Sequence, residues 1–325
     1  MFNYRGLRIG LFVGMLLMII SCNISLNPQP KLPPLRIVYD SWPGFSPLII
    51  AKEKGFFAQQ GVEVDIIYTK NALDALPQFN DHKYDGIAIA LGSILISSVN
   101  HPDISIILAC DVSDGADAVL ANPKISSIRD LKGKRIGTRI GSFGELFITK
   151  MLDSEGMTAN DVFFSDADGE EVIQQMKQGK IDAGNAWEPF VSQGKKNGFN
   201  VLFSSKKTPG LIPDIIAINR DILKARSQDI RAFVKAWFQG VNYLKQHQED
   251  AKKIIAKKLS LETDSISLEG IKLLDLQENR QAFTPGNTTE SLKYTTELYI
   301  HFFTKKGMLN NPPNAEKLLD YSFLD

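Results

Sequence analysis

From Leu35 onward the chain alternates short apolar runs with helical stretches, and this alternation constrains the fold most, because parallel-sheet α/β proteins read this way. Strands are expected at Leu35–Tyr39, Val62–Tyr68, Asp85–Ala90 and Ile104–Cys110. Ser46-Pro47 opens a helix between the first two, serine being a good N-cap and proline a good first helical residue, and Gly55 or Gly61 ends it. A second block begins near Ala116. Its expected strands are Ala118–Ala121, Arg135–Thr138, Val162–Ser165, Ile181–Ala186 and Val201–Ser204. Helices are expected between them from Phe143 to Ser154, Glu170 to Gln178 and Glu188 to Lys196, with Ser142 and Glu145 spaced as a capping box. After Pro213–Asn219 the pattern is helical only. Ile230, Phe233, Val234, Trp237, Val241 and Leu244 form a core-facing stripe, and Ala251–Leu259, Ile271–Leu276 and Thr288–Lys305 continue in that style.

The length of 325 residues suits about two domains, each with its own core. With 37 basic and 37 acidic residues the chain lacks the basic excess that nucleic acid demands. Hydrophobic residues at 43% exclude wholesale disorder. Two cysteines cannot build a disulfide framework, and Cys110, inside an apolar run, reads as a buried, inert thiol. His82, His101, His247 and His301 have no metal-ligand spacing. Gly137–Gly144 is glycine-rich but lacks the G-K-[ST] ending of a phosphate loop, and there is no G-x-S-x-G elbow. No enzyme, metal or cofactor is expected.

Arg5 and Arg8 precede the uncharged run Ile9–Ile20, the pattern of an export signal and too short for a spanning helix, which needs about 20 residues. Ile19-Ile20-Ser21-Cys22 then looks like a bacterial lipobox, which makes residues 1–21 a lipoprotein signal peptide and Cys22 the acylated residue. Residues 22–34 contain four prolines and read as an extended tether.

Three further segments carry a resemblance. Asp40-Ser41-Trp42-Pro43-Gly44-Phe45-Ser46-Pro47-Leu48, with Glu53-Lys54-Gly55-Phe56-Phe57, resembles the opening of solute-binding proteins of nitrate/sulfonate/taurine-type ABC importers. Asp130-Leu131-Lys132-Gly133-Lys134 followed by Gly141-Ser142 is similar to the start of that family's second lobe. Gly179-Lys180-Ile181-Asp182-Ala183 followed by Trp187-Glu188-Pro189 is similar to its G-x-x-D-A and W-E-P segments. The resemblance runs from Leu35 to about Trp237. It implies a two-lobe periplasmic-binding-protein type II fold with a ligand cleft between lobes and two crossing segments. Lobe one is then 35–115 with 217–325, and lobe two is 116–216. The partners implied are a small-molecule solute, the permease and ATPase subunits of an ABC importer and, through the lipid, the outer face of the cell membrane.

Ligand contacts in such sheets gather where strands end and helices begin. Those places hold Trp42, Phe45, Ser93, Asp111, Ser113, Asp114, Ser142, Trp187, Glu188 and Asp214, the expected ligand-binding residues. Asp114 can equally form an Asx turn before Gly115, Glu188 can serve only as a first-turn acid, and Trp42 and Trp187 can be core aromatics. Asp117 is expected to face solvent, and Asp166 and Asp168 to sit in a solvated loop. Carboxylates at the cleft favour a cation, and tryptophan faces could wall it. The run Asp111–Asp117 and Thr208–Asp214 resemble the branch associated with urea-carboxylase-type gene clusters, which implies a small nitrogen-rich solute such as guanidinium or an amine. The alternatives are a receptor for aliphatic sulfonate, taurine or nitrate, an enzyme related to pyrimidine-precursor synthesis, and a sensor lipoprotein.

Overall fold

The computed structural model describes residues 32–99 and 101–325. The expected signal peptide, Cys22 and all but the last three residues of the tether lie outside the described residues.

The first strand, β1 (Leu35–Tyr39), buries every residue but Arg36. A strand covered on both faces needs consecutive apolar residues rather than alternating ones, and LRIVY supplies them. A 3-10 turn at Pro43–Phe45 leads into α1 (Ser46–Glu53), with Pro47 in its first turn. Gly55, at φ +72°, redirects the chain into the short α2 (Phe56–Gln59). There follow β2 (Val64–Tyr68), α3 (Ala72–Asn80), β3 (Gly86–Ala90), α4 (Leu91–Ser97) and β4 (Ile104–Ser113). The chain then enters a second sheet through β5 (Asp117–Ala121) and β6 (Arg135–Thr138), continuing with α5 (Phe143–Asp153), β7 (Phe163–Asp166), α6 (Glu170–Lys177), β8 (Ala183–Trp187), α7 (Phe190–Lys196) and β9 (Asn200–Ser204). It returns through β10 (Pro213–Asn219), and the C-terminal part comprises α8 (Arg220–Ala225), α9 (Ser227–Gln246), α10 (Gln248–Leu259), β11 (Ile271–Leu273), α11 (Leu276–Phe283), α12 (Leu292–Lys305) and α13 (Ala315–Leu318).

The strand orders are β11-β4-β10-β3-β1-β2 and β7-β6-β8-β5-β9. Each sheet has three mutually parallel strands (β2-β1-β3 and β7-β6-β8) and, beside them, one antiparallel strand. In each case that strand, β10 or β5, is the first after the chain crosses from the other sheet. The crossings are residues 114–116 and 205–212. Pro213–Ile216, expected in lobe two, pair instead with β3 and β4 of the first sheet, because the apolar run PDIIAIN is wanted at the sheet's centre. The two crossings are clipped together. Ser113 Oγ and Ser205 Oγ lie 2.8 Å apart, the Gly115 N–H donates to Ser205 Oγ at 2.6 Å and the Asp117 N–H to Ser113 Oγ at 3.0 Å.

The C-terminal part is not wholly helical as its pattern predicts. Residues 271–273 pair antiparallel with β4 as an edge strand, too short for its own period to register. The stripe of α9 is buried against α1, and Gly240 allows the approach, since a Cβ there would lie 2.5 Å from the Pro47 carbonyl oxygen. Among the described residues no helix is long and apolar enough to cross a membrane.

Opposite β10, strand β4 bulges at Cys110, and Asn279 of α11 fills the hydrogen-bond gap there. Its Oδ1 accepts from the Ala109 N–H at 2.8 Å and its Nδ2 donates to the Ala109 carbonyl at 3.0 Å, with both groups buried. Asn279→Leu, close in volume, strips both backbone partners, so urea denaturation should give an unfolding free energy lower by about 2–3 kcal/mol. An unchanged midpoint would show that Asn279 does not tie the C-terminal helices to the sheet.

Candidate functional site

Between the ends of the two sheets lies a cavity of about 190 Å³. The first sheet contributes Asp40, Trp42, Phe45 and Asp214 from the ends of β1 and β10, with Lys70 and Asn71 ahead of α3 and Ser93 from α4. The second contributes Asp117 from β5, Thr138 and Arg139 from the end of β6, and Ser142 and Phe143 at the start of α5. Asp168, Asn185, Trp187 and Phe190 complete that wall.

Its chemistry is dominated by carboxyl groups taken out of water. Asp111 and Asp214 face each other across the β4–β10 pair. Asp111 is fully buried beneath Trp42, whose indole Nε1–H is shared between its two carboxyl oxygens at 3.2 Å each. Gly44 lets it fit, because a Cβ at that position would overlap Asp111 Oδ2. Burial raises the Asp111 carboxyl to about 8, against the Trp42 hydrogen bond that lowers it. Burial also lifts Asp214 well above the carboxylate range, and Asp111, Asp117 and Asp40 add repulsion. Asp117 is pushed up to about 7 by burial, opposed by Ser113 and reinforced by Glu188. Asp40 is raised by burial although the backbone N–H groups of Trp42 and Ala72 donate to it at 2.9 and 3.0 Å.

The basic side chains at the cavity are Lys70 and Arg139. Arg139 forms an ion pair with Asp168, and Asp168 also accepts from Asn71 Nδ2 at 3.3 Å, a bond that joins the two lobes. A second link closes the same side. Lys306, just past α12, pairs with the buried Glu145 of α5, whose other oxygen accepts from the Gly141 N–H at 2.8 Å. Trp187 packs edge-on against Phe190, with centroids 6.0 Å apart.

Among the described residues five buried side-chain polar atoms have no hydrogen-bond partner. Four of them, Asp117 Oδ1, Thr138 Oγ1, Arg139 Nε and Asn185 Oδ1, belong to residues lining this one cavity. Buried polar groups are almost always satisfied, so their concentration at one cavity makes it the candidate site.

Of the residues expected from sequence, Trp42, Phe45, Ser93, Ser142, Trp187 and Asp214 line the cavity, and Asp111 lies behind Trp42. Three are engaged elsewhere. Ser113 clips the crossings, and Asp114 is exposed in one of them with its N–H bonded to Gly270 O. Glu188 does not begin a helix. It precedes Pro189 and caps α7, accepting from the N–H and Oγ of Ser192 at 3.0 Å each. Conversely, Asp117 faces inward rather than to solvent, because its register opposite Trp187 aims it at the cavity, and Asp168 is held by Arg139 rather than free in a loop. Lys70, Asn71, Thr138, Arg139 and Asn185 were not singled out. Thr138 does sit at a strand end, a signal that could have found it, whereas Asn185 is the middle residue of β8. The capping box is half formed: Ser142 Oγ accepts from the Gly144 N–H, but Glu145 reaches Gly141 instead of Ser142.

The sequence profile described as NMT1/THI5 like matches residues 42–251, well over half of the chain. The chain belongs to the NMT1/THI5-like family. Relatives of this NMT1/THI5-like protein include a Brucella abortus protein bearing a binding-protein name, 24% identical over 299 residues that span 89% of this chain and 91% of the relative. A Bacillus subtilis protein named for aliphatic sulfonate binding is 26% identical over 254 residues, 76% of each chain. The fold is that of periplasmic binding proteins. The alkanesulfonate-binding protein SsuA of Xanthomonas axonopodis pv. citri superposes with a TM-score of 0.71 at 16% identity, covering 90% of this chain and all of SsuA.

The raised carboxyls fix a direction of pH dependence. They are ionised in the unfolded chain above about 4 but hold protons in the fold up to about 7 or 8, so folding stability falls as pH rises through that window. The lowered groups Asp130, Asp161, Asp182, Asp275 and Glu316 act in the opposite sense, but only below the ordinary carboxylate range. The ligand-free protein should therefore melt at a higher temperature at pH 5 than at pH 8, and Asp214→Asn should flatten the difference. A melting temperature that climbs from pH 5 to 8 would contradict the burial of these acids.

Proposed function

We propose that this protein is the extracytoplasmic solute-binding component of an ABC importer. It closes its lobes over a small nitrogen-rich cation, guanidinium- or amine-like, for delivery to a permease and ATPase. Family membership, the names of the Brucella and Bacillus relatives and the fold held in common with SsuA support the transport role. For the charge of the solute one observation carries the reading: Asp117, buried in the cleft wall, presents a carboxyl oxygen with no partner. Of the other charged groups at the cavity, Arg139 and Asp168 neutralise each other as an ion pair, Asp214 holds its proton well above the carboxylate range, and Asp40 stands against Lys70. At an effective dielectric near 20, a carboxylate about 4 Å from a unit charge contributes roughly 4 kcal/mol, which repels an anion and holds a cation. Guanidinium is planar, forks onto carboxylates and stacks on rings such as those of Trp42 and Trp187. The start of α5, by its dipole a favourable place for an anion, already holds the Ser142 cap and the Glu145 carboxylate.

Calorimetric titration at pH 8 with guanidinium, methylammonium, urea, nitrate and methanesulfonate tests the reading. The two cations should bind, and Asp117→Asn should weaken them at least 30-fold. Wild-type affinity should drop about tenfold per unit as pH falls below 7, where Asp117 holds its proton. Binding of nitrate or methanesulfonate with no response to either cation would overturn the assignment. On this reading residues 1–21 direct export and Cys22 carries the lipid. Cys22→Ala should then shift the protein from the membrane to the soluble extracytoplasmic fraction on cell fractionation, whereas a variant that stays membrane-bound would refute the anchor.

A further inference from the structure

The unpartnered atoms of the cleft are of two chemical kinds, and they are ordered in space. Once Asp117 is ionised its Oδ1 can only accept, as can Asn185 Oδ1, whereas Arg139 Nε can only donate and Thr138 Oγ1 can do either. Asp117, Thr138 and Asn185 are 1%, 1% and 3% exposed, so bulk water does not satisfy them. Strand order places these groups in a row running from Asp117 on β5 across β8 to Thr138 followed by Arg139 at the end of β6, with Asn185 of β8 beside Thr138, since a Cβ on Gly144 would lie 2.5 Å from Thr138 Oγ1 and 2.6 Å from Asn185 Nδ2. Neighbouring strands are about 4.8 Å apart, so the acidic and basic ends of the row are separated by about 10 Å of backbone.

We infer that the solute is two-ended: a cationic donor group meets Asp117, while a carbonyl, carboxylate or sulfonate on the same molecule accepts from Thr138 and Arg139. This rests on the cation reading of the preceding subsection and adds the second group. A lone cation leaves the Arg139 Nε–H buried without an acceptor, which a complete ligand would not do. Size gives a second reason. A cavity of about 150 Å³ in another protein accommodates benzene, a molecule of six heavy atoms. The cleft, at about 190 Å³, exceeds what the four heavy atoms of guanidinium occupy.

Calorimetry at pH 8 on the full-length protein separates the two readings with three sets of probes. These are cation-only (guanidinium, methylammonium), two-ended (guanidinoacetate, β-alanine, taurine) and anion-only (acetate, methanesulfonate). At least one two-ended probe should bind 30-fold or more tighter than its cation-only counterpart. Thr138→Val, which removes only the hydroxyl, should reduce that ratio at least tenfold, and Arg139→Gln should do the same. Asp117→Asn should weaken the two-ended probe as well as the cation. If cation-only and two-ended probes bind within threefold of each other, or if Thr138→Val leaves the ratio unchanged, the two-ended solute is excluded while the cation reading stands. If an anion-only probe matches the two-ended one, or no probe with a cation binds, both readings fall.

Discussion

Three carboxyl groups, those of Asp111, Asp117 and Asp214, are buried where the two sheets end against each other, and none forms an ion pair among the described residues. Burying a charge without a counterion is expensive, and the inexpensive response is to keep the proton. The fold therefore holds a strip of neutral acids at its centre, one of them bonded to an indole and another presenting a bare oxygen. The surrounding apolar strands make the strip possible. Residues 104–110 of β4 and 215–218 of β10 are fully covered, so the acids at the strand ends are held in place by a core they do not help to stabilise.

The strand exchange gives these acids their common address. Because β10 belongs to the first sheet but arrives from the second, and β5 the reverse, Asp214 and Asp117 are each the first or second residue of a strand entering its sheet. Both therefore lie beside a crossing, with the Ser113–Ser205 clip fixing the spacing of the crossings directly behind them. Any rotation of one lobe on the other pivots close to that clip, so the acids change their separation least while the aromatic and basic residues farther out travel most.

Much of this was legible in the chain. The β-α rhythm located most strands to within a residue or two, since parallel strands need unbroken apolar runs and their helices need caps. Trp42, Ser142, Trp187 and Asp214, expected from their places near strand ends and helix starts, line the cavity. The rest depended on register. In Asp111–Asp117 three acids lie within seven residues, and nothing local distinguishes the one that points inward. Pairing of Asp117 with Trp187 decides it, and that is a long-range fact. Glu188 is engaged by a local contact instead, its carboxylate accepting from Ser192 four residues on. Arg139 and Asp168 lie just past the ends of β6 and β7, and the parallel pairing of those two strands brings them together. Edge strand β11 escaped because three residues carry no period.

One link between the lobes bears on what holds them together. Glu145 is only 2% exposed, and its counterion, Lys306, comes from the opposite lobe. Pulling the lobes apart strands that carboxylate with the Gly141 N–H alone, so parting carries a penalty even when the cleft is empty. That penalty is the same whether the cleft is filled or not, so this contact holds the lobes together without discriminating among solutes.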